Sequence, residues 1–535
     1  MQRRDFLKLS TLAGLSACSP RLPWHRADYP VEVRMPGMQL GHLLRDGAKL
    51  PPPRGERRCE VAILGSGVGG LFAGWRLAQA GFKDFCLLEG PEPLGNAAGS
   101  VLGGIPCPTG AHYLPLPSLE SMHVREMLAE FGILHGDIRA ARPSYEETAL
   151  VNAPDERLFI DGVWQDGVVP WHDVSTPDRT QIRNFFAEAA RLRDTVGKDG
   201  RRVFVVPLAL SSQDPEFRAL DTETFSAWLT RKGYTAEPLR WYLDYCCRDD
   251  YGASVDTVSA WAGLYYFAGR AGHAANAEDG TMLTWPDGLQ PVAGRLHAAI
   301  GAERCQRGMA VHVAERGKGV EVLCYDDQRH ETFLLKARRV IVAMPLHVAM
   351  HVVEDFNAFG FDRARDLPQS ASWLVANFLL HRFPAEQDVR QPLAWDNVIY
   401  RSGSLGWVVA TNQWIRQAKP ASTVFTAYHA LAEMPAARPW LATASAAELL
   451  QICHGDLRQA YGSAFDDCVE RVEITVRGHA MASPVPGFLN RAGIEALRKA
   501  DGRILFAHAD LSGLSVFEEA AWWGNQAAMR LISNS

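Results

Sequence analysis

The run Gly65-Ser66-Gly67-Val68-Gly69-Gly70 constrains this chain more than any other stretch. Before it, Cys59-Glu60-Val61-Ala62-Ile63-Leu64 is a mostly apolar segment of strand length. After it, Leu71, Ala73, Leu77 and Ala78 recur along a helical segment that Gly81 ends. Phe85-Cys86-Leu87-Leu88 then reads as a second strand, closing on Glu89. A glycine run alone says little, but strand, loop, helix, strand and acid in this order form a β-α-β unit that binds a dinucleotide. Gly65 permits the tight turn, Gly67 lets the backbone approach a pyrophosphate, and Gly70 lets helix and strand pack closely; Gly69 belongs to the same loop. The helix N-terminus turns its free N–H groups toward the phosphates, and Glu89 is spaced to accept hydrogen bonds from ribose hydroxyls.

The far end of the chain narrows the choice of dinucleotide. Arg503-Ile504-Leu505-Phe506-Ala507 is a buried-strand pattern running into His508-Ala509-Asp510. A loop leads to Phe517-Glu518-Glu519-Ala520-Ala521, then Gly524, Ala527 and Ala528 on a small-residue helix. A second strand–acid–helix unit so far from the first points to a two-segment FAD site, because an NAD site does not need the return. The 535 residues allow about three domains at roughly 150 residues each. With 47% apolar and 22% charged residues the composition is globular, and a net charge of -6 leaves no electrostatic footprint for nucleic acid. There is no His-Glu-x-x-His, Gly-x-Ser-x-Gly or Walker loop, so no metal, hydrolase or NTPase reading is supported.

Residues 59–115, 281–345 and 500–533 resemble the flavin-containing amine oxidase family. The resemblance implies an α/β fold: a Rossmann-type FAD-binding domain built from discontinuous segments, with an inserted α+β substrate domain. The implied organisation is FAD-binding over 59–115, 281–346 and 491–535, and substrate domain over 116–280 and 347–490. Position by position, Gly65, Gly67 and Gly70 match the phosphate loop, Glu89 the ribose acid, and Gly95 the loop that follows. Gly110-Ala111-His112-Tyr113 falls where the family sets small residues against the isoalloxazine ring, and Ala310 lies on the strand whose backbone meets adenine. Val340 to Leu346 resembles the strand before the family's second substrate segment. Asp510 takes the acid position near the pyrophosphate and ribityl chain, and Phe517 the position whose N–H meets the flavin pyrimidine.

The departures bear on function. Gly95-Asn96-Ala97 lacks the family's phosphate-binding Arg, and its Pro-x-Gly-Gly becomes Pro286-Asp287-Gly288-Leu289. Asn377 stands where many amine oxidases carry a Lys that helps reoxidation, and Val516 replaces one wall of the aromatic cage. No Cys falls at a flavin-linking position, so FAD is expected to be noncovalent. His112 and Asn377 are the candidate catalytic residues, His112 either handling a proton beside the flavin or simply packing there. Asp249-Asp250 could hold a cationic amine or, the commoner use of such a pair, cap a helix or turn. Trp241 and Tyr242, each at helical spacing to Tyr245, read as core, as do Trp522 and Trp523.

The expected activity is FAD-dependent oxidation: a hydride passes from a small substrate, an amine or polyamine, to flavin N5, with oxygen or another acceptor reoxidising the flavin. Two alternatives stand beside it, a desaturase or dehydrogenase of a non-amine substrate, and an envelope binding protein with structural FAD.

Residues 1–18 carry an address. Arg3-Arg4 before a short apolar run resembles a twin-arginine export signal, too short to span a bilayer at about 20 residues. Leu15-Ser16-Ala17-Cys18 also resembles a lipoprotein box, which would make Cys18 a membrane tether. The export machinery is thus an expected partner and the periplasm the expected location, with residues 19–58 a tether to the folded body. The remaining cysteines, Cys246 and Cys247 included, are irregularly spaced and read as small apolar residues rather than a disulfide framework.

Overall fold

The computed structural model describes residues 29–47, 49–386, 390–415 and 420–533. The proposed export signal with Arg3, Arg4 and Cys18, and the first part of the tether, lie outside the described residues.

Two sheets organise the chain. The seven-stranded sheet runs Cys305–Gln306, Phe85–Leu88, Glu56–Leu64, Glu331–Val342, Gly319–Asp326, Met309–Arg316, with Ile504–Phe506 also pairing Glu331–Val342. Its central pairings are parallel, and the strands from Met309 to Val342 form an antiparallel meander. The continuous apolar runs of the sequence follow from burial on both faces. Val61, Ile63, Phe85 and Leu87 pack into one core, while Ala62, Leu64, Cys86 and Leu88, one residue out of phase, pack into another.

One of those cores is closed by two helices, Val68–Gln79 and the C-terminal Phe517–Ser533, whose crossing depends on glycine. A Cβ on Gly524 would sit 2.2 Å from the Gly69 carbonyl oxygen, and one on Gly69 would sit 2.3 Å from that of Ala507. A side chain at Gly524 would force the last helix off the first, and one at Gly69 would collide with the Ala507 backbone.

The second, eight-stranded sheet runs in the order Val31–Arg34, Val469–Ser483, Gln369–Leu380, Thr423–Ala430, Trp407–Val409, Asp396–Ile399, Glu156–Ile160, Val163–Asp166. A helical layer that includes Thr176–Asp194, Glu237–Tyr251 and Ala260–Ala268 forms its own apolar core. Cys247 packs there and Cys246 against the sheet, each 1% exposed.

The expected tether over 19–58 needs correction within the described residues. Val31–Arg34 pairs in parallel with Val472 to Thr475, Met38–Arg45 is a helix, and Glu56 to Arg58 already pair with Leu334 to Lys336. The cause is a period of two: Val31 and Val33 pack on the sheet's core while Glu32 and Arg34 face outward. A four-residue strand between Pro30 and Pro36 is too short a run to stand out from a Pro-scattered segment.

Candidate cofactor and substrate site

The loop Gly65–Gly70 sits where the central parallel strands end. Gly65 has φ 115°, and a Cβ on Gly70 would lie 1.9 Å from the Gly65 carbonyl oxygen, so loop and helix touch backbone to backbone. Gly67 is different. It caps Val68–Gln79 in an extended conformation, and nothing lies within 4 Å of where its Cβ would be. Gly65, Gly69 and Gly70 have protein where a Cβ would go, whereas Gly67 faces open space beside a helix N-terminus, which is the cradle a pyrophosphate requires.

The expected ribose and adenine contacts gather at one end of this loop. Ser66 Oγ donates to the Glu89 carbonyl at 2.6 Å, and the N–H groups of Glu89 and Gly90 donate to Gln306 and Gly308. The Glu89 carboxylate lies 3.1 Å from His297 Nε2. Ala310, two residues beyond Gly308, is buried at the start of Met309–Arg316. These segments, far apart in sequence, fit the adenosine end of a dinucleotide.

The loop after Glu89 is held by a residue that sequence reasoning missed. Arg477, on Val469–Ser483, donates from Nε to the Thr109 carbonyl at 2.8 Å and from Nη1 to Glu92 and Asn96, both at 2.9 Å. Its Nη2 donates to Glu92 at 3.0 Å and to Thr109 Oγ1 at 3.5 Å, so all five N–H hydrogens are used. Asn96 donates in turn to the Ala480 carbonyl at 2.8 Å. The Gly95 loop lies over the cradle: a Cβ on Gly95 would be 3.2 Å from Gly67 Cα.

Arg477 thereby also fixes the segment Gly110-Ala111-His112. A Cβ on Gly110 would be 2.2 Å from the Asn96 carbonyl oxygen, and the Ala111 N–H donates to that oxygen at 2.8 Å. Behind the segment, the Leu289 N–H donates to Ala111 and Thr284 Oγ1 donates to the His112 carbonyl at 2.6 Å. Ala111 itself is exposed. A flat ring system can rest here against backbone and a methyl group.

Next to Ala111 stands an aromatic wall. The His112 ring stacks on Tyr428 with centroids 4.4 Å apart, and lies 5.6 Å from Trp395 and 4.9 Å from Tyr113. Tyr428 Oη donates to the Gly110 carbonyl at 3.0 Å, tying the wall to the segment it faces. Burial lowers the His112 pKa to about 3, so its imidazole is uncharged at neutral pH and acts as a packing face, not a source of charge.

Carboxylates lie behind the wall. Tyr113 Oη donates to Asp249 Oδ2 at 3.0 Å, and Arg270 pairs with Asp250. This corrects the capping reading: both acids belong to the last turn of Glu237–Tyr251 and reach across to another part of the chain. Burial, then the neighbouring Asp250, raises Asp249 to about 6. Burial, then Asp155 and Asp249, raises Glu156 to about 7, and Asp396 is also raised, by burial and by Glu156 and Asp249. Val516, with Asp250, Tyr265, Tyr266 and Arg270, borders a neighbouring cavity of about 10 Å³, room for a single water.

Asn377 is not at an open face. It is 0% exposed, its Nδ2 donates to the Pro108 carbonyl at 2.9 Å, and its Oδ1 accepts from Thr426 Oγ1 at 2.6 Å. Engaged on both sides, it steadies the entrance to the Thr109–His112 segment and acts as a positioning residue.

On the C-terminal side, Asp510 Oδ2 accepts from the Leu346 N–H at 2.8 Å, and the carboxylate lies 3.3 Å from His508 Nδ1. Although burial opposes its charge, His508, the Leu346 N–H and His347 hold Asp510 down at about 2. Phe517, 7% exposed, opens the helix that crosses Val68–Gln79. Trp523 donates to Ser512 Oγ at 2.7 Å and Trp522 lies against His123, both as packing.

Known proteins share this architecture. Residues 63–131 match the family model for an NAD(P)-binding Rossmann-like domain. Putrescine oxidase in its wild-type, putrescine-bound structure superposes with a TM-score of 0.62 at 16% identity, over 89% of this chain and 100% of that one. Cyclohexylamine oxidase from Brevibacterium oxydans IH-35A gives 0.61 at 19% identity, over 89% and 99%. A CLA-producing fatty acid isomerase from P. acnes gives 0.58 at 16% identity, over 88% and 98%. No curated protein sequence matches significantly. The fold is thus a Rossmann-like domain carrying an extra domain, as in these oxidases, and at such identities the similarity extends to fold alone.

Proposed function

We propose that this chain is an FAD-dependent oxidoreductase that oxidises a small amine. The observation that carries this reading is the exposed Ala111 step, set between the open Gly67 cradle and the wall of His112, Tyr428 and Trp395, with Asp249 behind Tyr113. FAD, when bound, supplies a hydride acceptor at N5. The residues that would hold it are Gly65 to Gly70, Glu89, Gly95, Gly110 to His112, Ala310, Asp510 and Phe517.

The chain's own contribution is binding and proton handling. Neutral aromatic faces favour a cation and exclude water from the reacting carbon. An amine arrives as an ammonium ion and must lose a proton before its C–H bond can give up a hydride. Asp249 is suited to accept that proton. Tyr113 occupies its Oδ2 and leaves Oδ1, and a carboxyl raised to about 6 takes a proton more readily than an ordinary aspartate. The deciding experiment is anaerobic: a panel of primary amines, diamines and polyamines is added to the purified protein and its flavin absorbance followed. Bleaching by a member of the panel supports amine oxidation; a flavin that no amine bleaches removes it.

A second reading, oxidation or isomerisation of a non-amine substrate, draws support from Asn377. Its amide is closed off by Pro108 and Thr426, so it offers no side chain for the oxygen reaction. The fatty acid isomerase among the structures of this fold is in keeping with that alternative.

We further infer export through the twin-arginine route, on Arg3-Arg4 and the short apolar run after them, with Cys18 as a lipid anchor. Arg3→Lys with Arg4→Lys should retain the protein in the cytoplasm on cell fractionation; unchanged export would refute the signal.

A further inference from the structure

Three histidines lie on segments that border the phosphate loop from distant stretches of chain, and no role above uses them as donors. His508 follows Ala507, whose carbonyl oxygen would lie 2.3 Å from a Cβ on Gly69. His347 closes the Ala343–Leu346 turn, in which the Ala343 carbonyl oxygen would lie 2.7 Å from a Cβ on Gly65. His479 lies between Arg477 and Ala480, the two residues that hold Asn96 in the loop over Gly67. His347 and His479 stack with centroids 4.0 Å apart and planes 16° apart.

Their hydrogen bonds decide where the protons sit. His508 Nδ1 faces Asp510, 3.1 Å from its backbone nitrogen and 3.3 Å from its carboxylate, which leaves Nε2 as the nitrogen that can donate elsewhere. His479 Nδ1 lies 2.9 Å from Ser370 Oγ and 3.0 Å from Arg438 Nη1, a group that only donates, while its Nε2 is farther from that nitrogen at 3.5 Å. A neutral ring that accepts at Nδ1 carries its proton on Nε2. Burial holds His347 at about 4 and His479 at about 3, despite the pull of Asp510, so the stacked pair is uncharged at neutral pH. Among the described residues His347 makes no side-chain hydrogen bond.

The helix N-terminus offers a diphosphate its free backbone N–H groups, and any further donor has to come from a side chain. Arg477 cannot help, because Thr109, Glu92 and Asn96 take all five of its N–H hydrogens. We propose that His508 and the stacked pair His347–His479 serve as N–H donors to the diphosphate of the bound dinucleotide, a role that rests on the FAD reading above.

Apoprotein titrated with FAD, by quenching of flavin fluorescence, with ADP and adenosine as competitors, tests this. His508→Ala and His347→Ala should each weaken FAD and ADP by about tenfold, the worth of one hydrogen bond to a charged group, and leave adenosine unchanged. His508→Gln and His347→Gln, which retain an N–H donor, should recover most of that loss and serve where the Ala variant misfolds. Unchanged ADP affinity, or equal losses for ADP and adenosine, would overturn the imidazole role while leaving the cofactor reading intact. If the unmutated apoprotein binds neither FAD nor ADP, the cofactor reading falls and this role falls with it.

Discussion

The His112 imidazole lies stacked on the Tyr428 ring, centroids 4.4 Å and planes 29° apart, while the Tyr428 hydroxyl holds the Gly110 carbonyl at 3.0 Å. One side chain thus builds the aromatic wall and anchors the backbone step it faces. Tyr428→Phe keeps the stack and releases the carbonyl. Stability should fall by about 1 kcal/mol, the net worth of an ordinary hydrogen bond, as read by denaturant unfolding. Turnover should fall further than flavin content does, because the segment loses its fixed position.

Arg477 and Glu92 form a nearly buried pair, with side chains 8% and 22% exposed. Arg477→Met leaves Glu92 uncompensated and the Thr109 carbonyl without its donor. The expected cost is about 3–5 kcal/mol, the range for removing one partner of a buried pair, together with loss of bound flavin. Arg477→Lys should not rescue either, since an ammonium cannot reproduce a planar five-donor fork. Thermal melts and flavin content of both variants check this.

Gly67 and Gly70 should separate binding from folding. Gly67→Ala meets open space in a backbone conformation alanine adopts, so the apoprotein should keep its stability within about 0.5 kcal/mol. FAD affinity should nevertheless drop sharply, because the methyl group occupies the pyrophosphate's approach. Gly70→Ala collides with the Gly65 carbonyl and should destabilise the apoprotein itself. Unfolding curves with and without FAD distinguish the two effects.

Asp249 sets a pH dependence whose sign is fixed. Its folded pKa, about 6, lies above its ordinary value of 3.8, so the folded state binds the proton more tightly than the unfolded state does. The protein should lose stability as pH rises from that ordinary value through about 6, with no further change from this group above. Asp249→Asn, which still accepts from Tyr113, should flatten that part of the stability profile. In catalysis the same group should make kcat/KM for an amine rise as pH passes through about 6, and the Asn variant should lose that limb.

The phosphate loop, the two flanking strands and the strand–helix return at the C-terminus were legible because each is encoded locally, by glycines at fixed offsets and apolar periods of two or 3.6. Arg477 was not. Its partners Glu92, Asn96 and Thr109 lie 368 to 385 residues away in sequence, and an Arg on a strand gives no sign of what it grips. Asn377 was located by resemblance, but its closure by Pro108 and Thr426 exists only once two strands pair. The wall of His112, Tyr428 and Trp395 likewise joins three separate segments. What the sequence concealed was therefore long-range pairing between domains, the part of the fold that no short window contains.

The most direct measurement is the cofactor itself. Purified protein is denatured, the released small molecules are separated, and flavin is quantified against protein. One FAD per chain is the expected result, free in solution after denaturation as the expectation of noncovalent binding requires. A well-folded protein that releases no FAD, and takes up none when it is supplied, would contradict the assignment of Gly65–Gly70 and Gly110–His112 to a flavin.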